Sequence, residues 1–352
     1  MRLRRWIFPT ILLSGVALFG LLRAWAAPTD APAETSAAPS VSAASLRECN
    51  VTPEIERAVT RGLDYLAKAQ QADGSWNDQY GRVPGVVGLA VMAFLAHGET
   101  PDEGKYGPVI RKAVDYILRT QQANGLLSDN SGAGPMYSHG FATLALAEVY
   151  GVIDDPRVGP ALKKAVGLIG RAQNNQGGWR YNVQPTDADT TVSGAQMMAL
   201  RAAANAGIEV PIDTVKRGVE YYKSCFCEGG GFGYCGADGA GQARAGIGML
   251  ILCLSGEYRS RQVKATADWI ANNSGFNRDG YGYYAAYYCS QAMYQAGGNY
   301  WRDWNSAMTT TILAMQQPDG SWPQLTAGSA GDTAFALLAI EINYNLLPIY
   351  QR

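Results

Sequence analysis

QQADGSW, residues 70–76, recurs along this chain of 352 residues. Related segments stand at 121–125 (QQANG) and 173–179 (QNNQGGW), degenerate forms at 228–232 and 272–276, and a near copy, QQPDGSW, at 316–322. Anchored near positions 71, 122, 174, 225, 271 and 317, the motif recurs at intervals of 51, 52, 51, 46 and 46 residues. A period of about fifty residues is typical of a stack of like units.

Each unit is predicted to contain two helices, one before the turn and one after it. In the first unit Ile55, Val59, Leu63 and Leu66 mark one apolar face of the helix before the turn. The segment that follows, 86–96 (VVGLAVMAFLA), is apolar nearly all round. This pattern is typical of a helix buried on most sides.

The later units repeat this alternation. The predicted pairs are 106–122 with 138–150, 156–173 with 189–206, 211–224 with 242–254, 259–271 with 283–295, and 300–316 with 332–346. Less apolar helices alternate with fully apolar ones, which predicts an outer ring around an inner ring. The fold class is therefore all-α, an α6/α6 toroid of six helical hairpins. An open solenoid is the alternative, but the last unit carries a full motif where open arrays usually carry a polar cap.

The repeated turn is predicted to be structural. Its glycine suits the left-handed C-cap of the outer helix. Its glutamine amide can satisfy backbone groups at the helix end, and its tryptophan can fill the gap between units while its N–H finds an acceptor.

The N-terminal segment is predicted to direct export. Residues 1–26 combine a basic start, an apolar stretch and an Ala24-Trp25-Ala26 cleavage site, as a signal peptide does. Residues 27–48, rich in Ala, Pro and Ser, are predicted to be a disordered tether, and 49–352 the toroid. The expected location is periplasmic or secreted, and an uncleaved signal would tether the protein to a membrane.

Composition excludes some functions. A formal net charge of −1 gives no basic surface for nucleic acid, while 47% hydrophobic and 17% charged residues allow a large core. In an exported chain, Cys225 or Cys227 could form a disulfide with Cys235. A thiolate metal site is the weaker alternative, since neither histidine lies in that part of the sequence. We predict no metal site and no cofactor.

QQADGSW and QQPDGSW resemble the QW motifs of the squalene–hopene cyclase and protein prenyltransferase superfamily. The stretches MYSHGFATLALAEVYG, QGGWRYN and GAQMMALRAAANAGIEVP resemble exported single-toroid bacterial proteins with prenyltransferase/squalene oxidase repeats more narrowly. The resemblance covers residues 50–352 and implies the same α6/α6 toroid. It leaves the activity open.

Asp187 and Asp189 are the candidate catalytic residues. In 187–191 (DADTT) these aspartates and Thr191 match three positions of the D-x-D-D-T-A segment with which class II terpene cyclases protonate an alkene, while Thr190 replaces the last aspartate. Such an acid must stay protonated in an apolar pocket. The alternative is an N-cap at Asp189, because aspartate is favoured just before a helix and Asp332-Thr333 repeats the pair.

Aromatic residues and one histidine are the candidate ligand-binding residues. They stand at predicted inner-helix starts or just after an inner helix, and they are Tyr137, His139, Tyr283, Tyr284, Tyr287 and Trp301. An aromatic surface can hold an apolar polyene, a cation or a sugar ring. The alternative for each residue is packing between helices.

Three functions follow from these features. The first is a binding toroid that holds an apolar, isoprenoid-like small molecule or a protein partner in its cavity or on its rim. The second is a terpenoid cyclase-like enzyme with Asp189 as the acid. The third is a carbohydrate-binding or carbohydrate-cleaving toroid, whose carboxylates would come from Asp187, Asp189, Asp279 and Asp332.

Overall fold

A computed structural model describes residues 51–79, 81–128 and 134–350. The predicted signal peptide and tether, residues 1–48, lie outside the described residues. Within those ranges the chain forms twelve α-helices and two 3₁₀ turns, with isolated β-bridges in place of strands. The all-α prediction is therefore confirmed.

The twelve helices alternate between an outer and an inner layer. The outer helices are α1 (Pro53–Ala69), α3 (Gly107–Arg119), α5 (Val158–Ala172), α7 (Ile212–Ser224), α9 (Arg261–Asn272) and α11 (Gly298–Met315). The inner helices are α2 (Pro84–Ala96), α4 (Pro135–Tyr150), α6 (Thr190–Asn205), α8 (Gln242–Leu254), α10 (Gly282–Ala296) and α12 (Gly328–Glu341). Every residue of α2 is buried, whereas α1 buries only one face.

The inner helices form a closed ring. Each packs against the inner helix before and after it, and α12 packs against α2 and α1, which joins the last unit to the first. The prediction of a closed α6/α6 toroid is confirmed, and the open solenoid is excluded.

The glutamine of the repeated turn links neighbouring units. The Gln70 amide nitrogen donates to the Gly74 carbonyl at 3.2 Å and to the Val109 carbonyl, at the start of the next outer helix, at 2.8 Å. At the seam of the ring, Gln316 repeats the arrangement with Gly320 at 3.0 Å and with Ala58 of α1 at 2.8 Å. The seam therefore uses the same hydrogen bonds as an internal junction.

The glycine of the turn is not the helix C-cap that the sequence suggested. The outer helix α1 ends at Ala69, its C-cap is Gln70 in an extended conformation, and Gly74 follows four residues later with φ of +90°. A Cβ on Gly74 would stand 2.0 Å from the Lys112 carbonyl oxygen of the next outer helix. The glycine is required because a neighbouring backbone packs directly against it.

The tryptophans of the turn are buried and hydrogen-bonded, as predicted. Trp76, Trp179 and Trp322 are each at most 1% exposed. Each indole N–H donates to a carbonyl of its own outer helix, ten residues earlier, at 2.7 to 2.8 Å. The ring therefore fixes the turn against the helix that precedes it.

The two ends of the ring differ. After α12 the chain turns through the 3₁₀ segments Ile342–Tyr344 and Pro348–Tyr350, and the second of these packs against α6. The Gln295 amide donates to the Tyr350 carbonyl at 3.0 Å. This segment covers the end where the inner helices finish. In the described part of the chain, no helix combines the length and the apolarity needed to cross a bilayer.

Candidate ligand cavity at the mouth of the toroid

The end of the ring where the inner helices begin holds a cavity of about 610 Å³, which we call the mouth cavity. All six inner helices contribute lining residues, and all but α12 contribute one from the first turn. Its main lining residues are Val86, Leu89, Tyr137, Ser138, Phe141, Tyr181, Thr191, Tyr234, Ala243, Arg244, Asp279, Tyr281, Tyr284 and Phe335. Tyr281 is 54% exposed, so the cavity opens to solvent at its rim.

Helix phase determines which residues face the cavity. The third residue of four inner helices lines it: Val86 of α2, Tyr137 of α4, Arg244 of α8 and Tyr284 of α10. These residues are equivalent in the repeat although their chemistry differs. Aligning the units at their inner-helix starts would have found Val86 and Arg244, which motif reasoning missed.

Aromatic rings form one wall of the mouth cavity. Phe335 meets Phe141 at 5.8 Å and Tyr284 at 5.5 Å between ring centroids, both edge to face. The hydroxyls of Tyr137 and Tyr284 lie 2.5 Å apart. Of the six predicted ligand-binding residues, Tyr137 and Tyr284 line the cavity.

Asp189 is the N-cap of α6, as the alternative prediction held. Its Oδ1 accepts hydrogen bonds from Thr191 N at 2.8 Å, Thr191 Oγ1 at 2.6 Å and Val192 N at 2.7 Å. The residue is fully buried, and burial raises the pKa of its carboxyl above the usual value despite these bonds and the Arg180 charge. Its Oδ2 has no hydrogen-bond partner among the described residues.

Asp187 lies at the surface, outside the cavity lining. Its Oδ2 is 3.6 Å from Arg180 Nε, and Asp189 Oδ2 is 3.7 Å from the same nitrogen. The guanidinium also stands over the rings of Tyr181 and Tyr234, 5.1 Å from each centroid. The two candidate aspartates are therefore joined through one arginine.

His139 is enclosed by backbone. Its Nδ1 accepts from Leu127 N at 3.0 Å, and its Nε2 lies 3.2 Å from the Ala165 carbonyl. Burial lowers the pKa of His139 to about 4, so the ring is neutral near pH 7. It is fully buried and is not among the cavity-lining residues, contrary to the expectation that it faces the mouth.

The other three aromatic candidates pack between helices. Tyr283 is fully buried against Phe276 at 5.2 Å, and Tyr287 is fully buried against Phe335 at 5.4 Å. Trp301, on outer helix α11, meets Tyr294 edge to face at 5.2 Å. None of the three contributes to the mouth cavity lining.

Of the four aspartates considered for carbohydrate chemistry, Asp279 lines the cavity, and its Oδ2 accepts the N–H of Gln242 at the start of α8. Asp332 accepts three N–H groups, from Leu325, Thr326 and Ala327, at 2.7 to 3.0 Å. It lies inside α12, which begins at Gly328, so it does not repeat the N-cap of Asp189.

The cysteines near α7 are free thiols. Cys225 is buried, which raises the pKa of its thiol, and Cys235 is exposed. The Cys235 sulfur accepts a hydrogen bond from Arg180 Nη1 at 3.1 Å. The predicted bridge from Cys225 or Cys227 to Cys235 is therefore not formed. The described residues contain no group of three or more His, Cys, Asp or Glu placed to hold a metal.

Sequence comparison connects this toroid to cyclases. Residues 86–245 match the family model of the squalene-hopene cyclase C-terminal domain. A stretch of 74 residues is 34% identical to lanosterol synthase of Homo sapiens and covers 20% of this chain. Over these residues the chain is similar to the squalene-cyclase-like superfamily. The aligned stretch spans 10% of the length of lanosterol synthase, so that enzyme's activity does not transfer with it.

Solved structures of low sequence identity share the toroid fold of this chain. A variant of the type II terpene cyclase MstE from Scytonema, in complex with its product merosterolic acid A, superposes with a TM-score of 0.61 at 14% identity over 83% of this chain and 97% of that one. An inactive variant of the GH76A alpha-1,6-mannanase of Salegentibacter sp. HEL1_6, in complex with alpha-1,6-mannotriose, superposes with a TM-score of 0.65. The identity is 8%, over 83% of this chain and 99% of that one. At these identities the likeness is one of fold.

Proposed function

We propose that this toroid binds a mainly apolar small molecule of isoprenoid type in the mouth cavity. The observation that carries the proposal is the cavity itself, about 610 Å³ of space walled by apolar and aromatic side chains at the starts of the inner helices. This volume falls within the range of about 300–1,000 Å³ that small-molecule sites usually have.

The chemistry of the wall supports an apolar ligand. Phe141 is 4% exposed, Phe335 4% and Leu89 3%, so the wall is rigidly packed from behind. The edge-to-face rings fix the shape of the cavity before a ligand arrives, which lowers the entropic cost of binding. The complex of the Scytonema cyclase with merosterolic acid A is consistent with this class of ligand.

Native mass spectrometry of the protein purified from its own cells without detergent tests the proposal. We expect an added mass that disappears after extraction with organic solvent. Ala243→Phe, at the cavity wall, should reduce the bound fraction, whereas Ala271→Phe, on an exposed position of α9, should not. A bare mass in both variants and the wild type, together with no uptake of added squalene, would refute ligand binding and direct the search to protein partners.

A second candidate function is acid catalysis by Asp189. One carboxyl oxygen is buried without a hydrogen-bond partner, and the other accepts from Thr191, which lines the cavity. The Tyr137 hydroxyl interacts with Thr191 and with Tyr284, so hydroxyl groups connect the buried acid to the cavity. A carboxyl with a raised pKa in an apolar surrounding can deliver a proton.

The catalytic candidate is tested by incubating the protein with linear polyprenes and looking for cyclised products. Asp189→Asn should abolish product formation while the melting temperature stays close to that of the wild type. Equal turnover by both proteins would exclude Asp189 as the acid.

We also propose that the protein acts outside the cytoplasm, which rests on the sequence of residues 1–26 alone. Fusing that segment to a reporter enzyme that is active only after export provides the test. A reporter that stays inactive would contradict the proposal.

A further inference from the structure

The mouth cavity has two charged lining residues, and only one of them lacks a strong partner. Asp279 caps α8 through the Gln242 N–H. Arg244, in the first turn of α8, donates from Nη2 to the Gly239 carbonyl at 3.2 Å, and its Nε is buried without an acceptor. Arg244 forms no salt bridge with any residue that the structure describes.

The carboxylates at this end of the ring already accept hydrogen bonds from the backbone. Asp238 senses the positive charge of Arg244, but its two oxygens accept from Tyr234 N at 2.6 Å and Cys235 N at 3.3 Å. At the starts of two other inner helices, Asp189 accepts two backbone N–H groups of α6, and Asp78 accepts the Gly331 N–H of α12 at 2.9 Å. Asp189 and Asp78 thus compensate helix N-termini and Asp238 is held by loop N–H groups, so the charge of Arg244 remains available at the mouth.

Arg180, another arginine at this end of the ring, already interacts with several protein groups. It lies near two carboxylates, stands over two tyrosine rings and donates to a cysteine sulfur. Arg244 has no comparable set of partners. A buried guanidinium N–H without an acceptor costs free energy, and a ligand that supplies one would recover it.

We infer that the ligand of the mouth cavity carries an anionic head group, a carboxylate or a phosphate, which binds Arg244 at the rim. Its apolar tail then lies along Leu89, Phe141 and Phe335. Guanidinium groups suit these anions because their planar N–H pairs match the oxygens of both. The inference rests on the proposed function and narrows its substrate class to an acidic amphipath.

Three probes with one tail and different heads test the inference: farnesol, farnesoic acid and farnesyl phosphate, titrated into the full-length protein. We expect the acid or the phosphate to bind the wild type at least tenfold more tightly than the alcohol, with an advantage that shrinks as salt rises. Arg244→Gln should weaken the anionic probes by about 10- to 100-fold, the range expected for a hydrogen bond to a charged group, and should change the alcohol by less than about twofold.

Two further variants control for folding and for general charge. Arg244→Lys should keep part of the preference for the anionic probes over the alcohol. Arg278 is an exposed arginine beside the mouth, and Arg278→Gln should leave all three affinities unchanged. Equal binding of alcohol and anions by the wild type would overturn the inference and leave the proposed function standing. Failure of all three probes to bind would overturn both. A preference for phosphate over carboxylate, or the reverse, identifies the head group.

Discussion

At the scale of single residues, the repeated turn shows why a glycine recurs. Gly320 has φ of +93°, and a Cβ there would stand 2.3 Å from the Arg61 carbonyl oxygen across the seam of the ring. We expect Gly320→Ala to lower the free energy of unfolding by about 1–3 kcal/mol, because the backbone must shift and the side chain adds strain. Urea denaturation followed by circular dichroism measures the change.

Gly151→Ala is the matched control for that prediction. Gly151 has φ of −81°, and nothing lies within 4 Å of a Cβ built there. Its substitution should change stability by less than about 0.5 kcal/mol. Equal costs at the two positions would contradict the explanation from backbone contact.

Residue roles could be predicted from the sequence only where they were local. The tryptophan N–H found an acceptor as expected, because that acceptor is ten residues away on the same helix. His139 and Tyr283 were placed correctly at the starts of inner helices. Whether their side chains line the cavity depends on the rotation of each helix within the ring, which the sequence did not give. Only Tyr137 and Tyr284 had the right phase.

At the scale of helices, two substitutions of Asp189 distinguish a role as N-cap from a role as catalytic acid. Asn is as good an N-cap as Asp, so Asp189→Asn should change the free energy of unfolding little, whereas Asp189→Ala should cost about 1 kcal/mol. The cap bonds to Thr191 N and Val192 N are the physical reason. Thermal melts of the two variants provide the measurement, and equal losses would contradict the cap.

The C-terminal ends of two inner helices bury a carboxyl each. Glu148 of α4 and Glu341 of α12 form no salt bridge within the described residues, and both face Tyr350 of the covering segment. Burial raises the pKa of Glu148 to about 8, which the Ile349 N–H offsets only in part, and it raises the pKa of Glu341 well above its usual value. The Glu148 carboxyl is therefore neutral in the folded protein near pH 6.

These raised pKa values predict that the free energy of unfolding decreases as pH rises. Between the ordinary glutamate pKa of about 4.5 and about 8, the unfolded chain binds fewer protons than the folded one, so stability is lost as pH rises through this window. Glu148→Gln should remove the part of this pH dependence that Glu148 contributes. It should stabilise the protein by roughly 2 to 4 kcal/mol at pH 8, with little effect at pH 5. Urea unfolding at a series of pH values provides the measurement.

Glu341→Gln should act in the same direction, and Glu54→Gln, on the exposed face of α1, should leave the pH dependence as it is. A stability of Glu148→Gln that follows the wild-type pH curve in parallel would show that Glu148 is ionised in the folded protein.

Helix boundaries were predictable where apolar character began and ended sharply. The predicted 242–254 matches α8, and 283–295 differs from α10 by one residue at each end. The start of α12 was placed at Asp332 although it lies at Gly328, because the segment GSAG has a poor helix propensity. Burial against the neighbouring inner helices holds that turn in a helix, and burial depends on the assembled ring.

At the scale of the whole molecule, the fold was predictable because it is periodic. Six repeats of one turn determined the number of hairpins, and the alternation of amphipathic and apolar helices assigned the layers. The mouth cavity could not be predicted in this way, since it is the space that six helix starts leave between them. Its volume depends on side chains such as Phe141 and Phe335, which are far apart in sequence and meet at 5.8 Å.

Ring closure makes a prediction that an open array would not. In a closed ring the Gln316 amide donates to the Ala58 carbonyl at 2.8 Å and so joins the last unit to the first. The Gln121 amide joins two internal units in the same way, through the Ala161 carbonyl at 2.8 Å. Gln316→Leu and Gln121→Leu should therefore cost similar free energies of unfolding, about 1–3 kcal/mol each, because each leaves carbonyls without a donor. In an open array the terminal glutamine would have no neighbour to bind, and Gln316→Leu would be nearly neutral. Parallel urea titrations of the two variants, with Gln184→Leu as an exposed control, decide between these outcomes. A large cost at Gln121 alone would mean that the seam opens in solution.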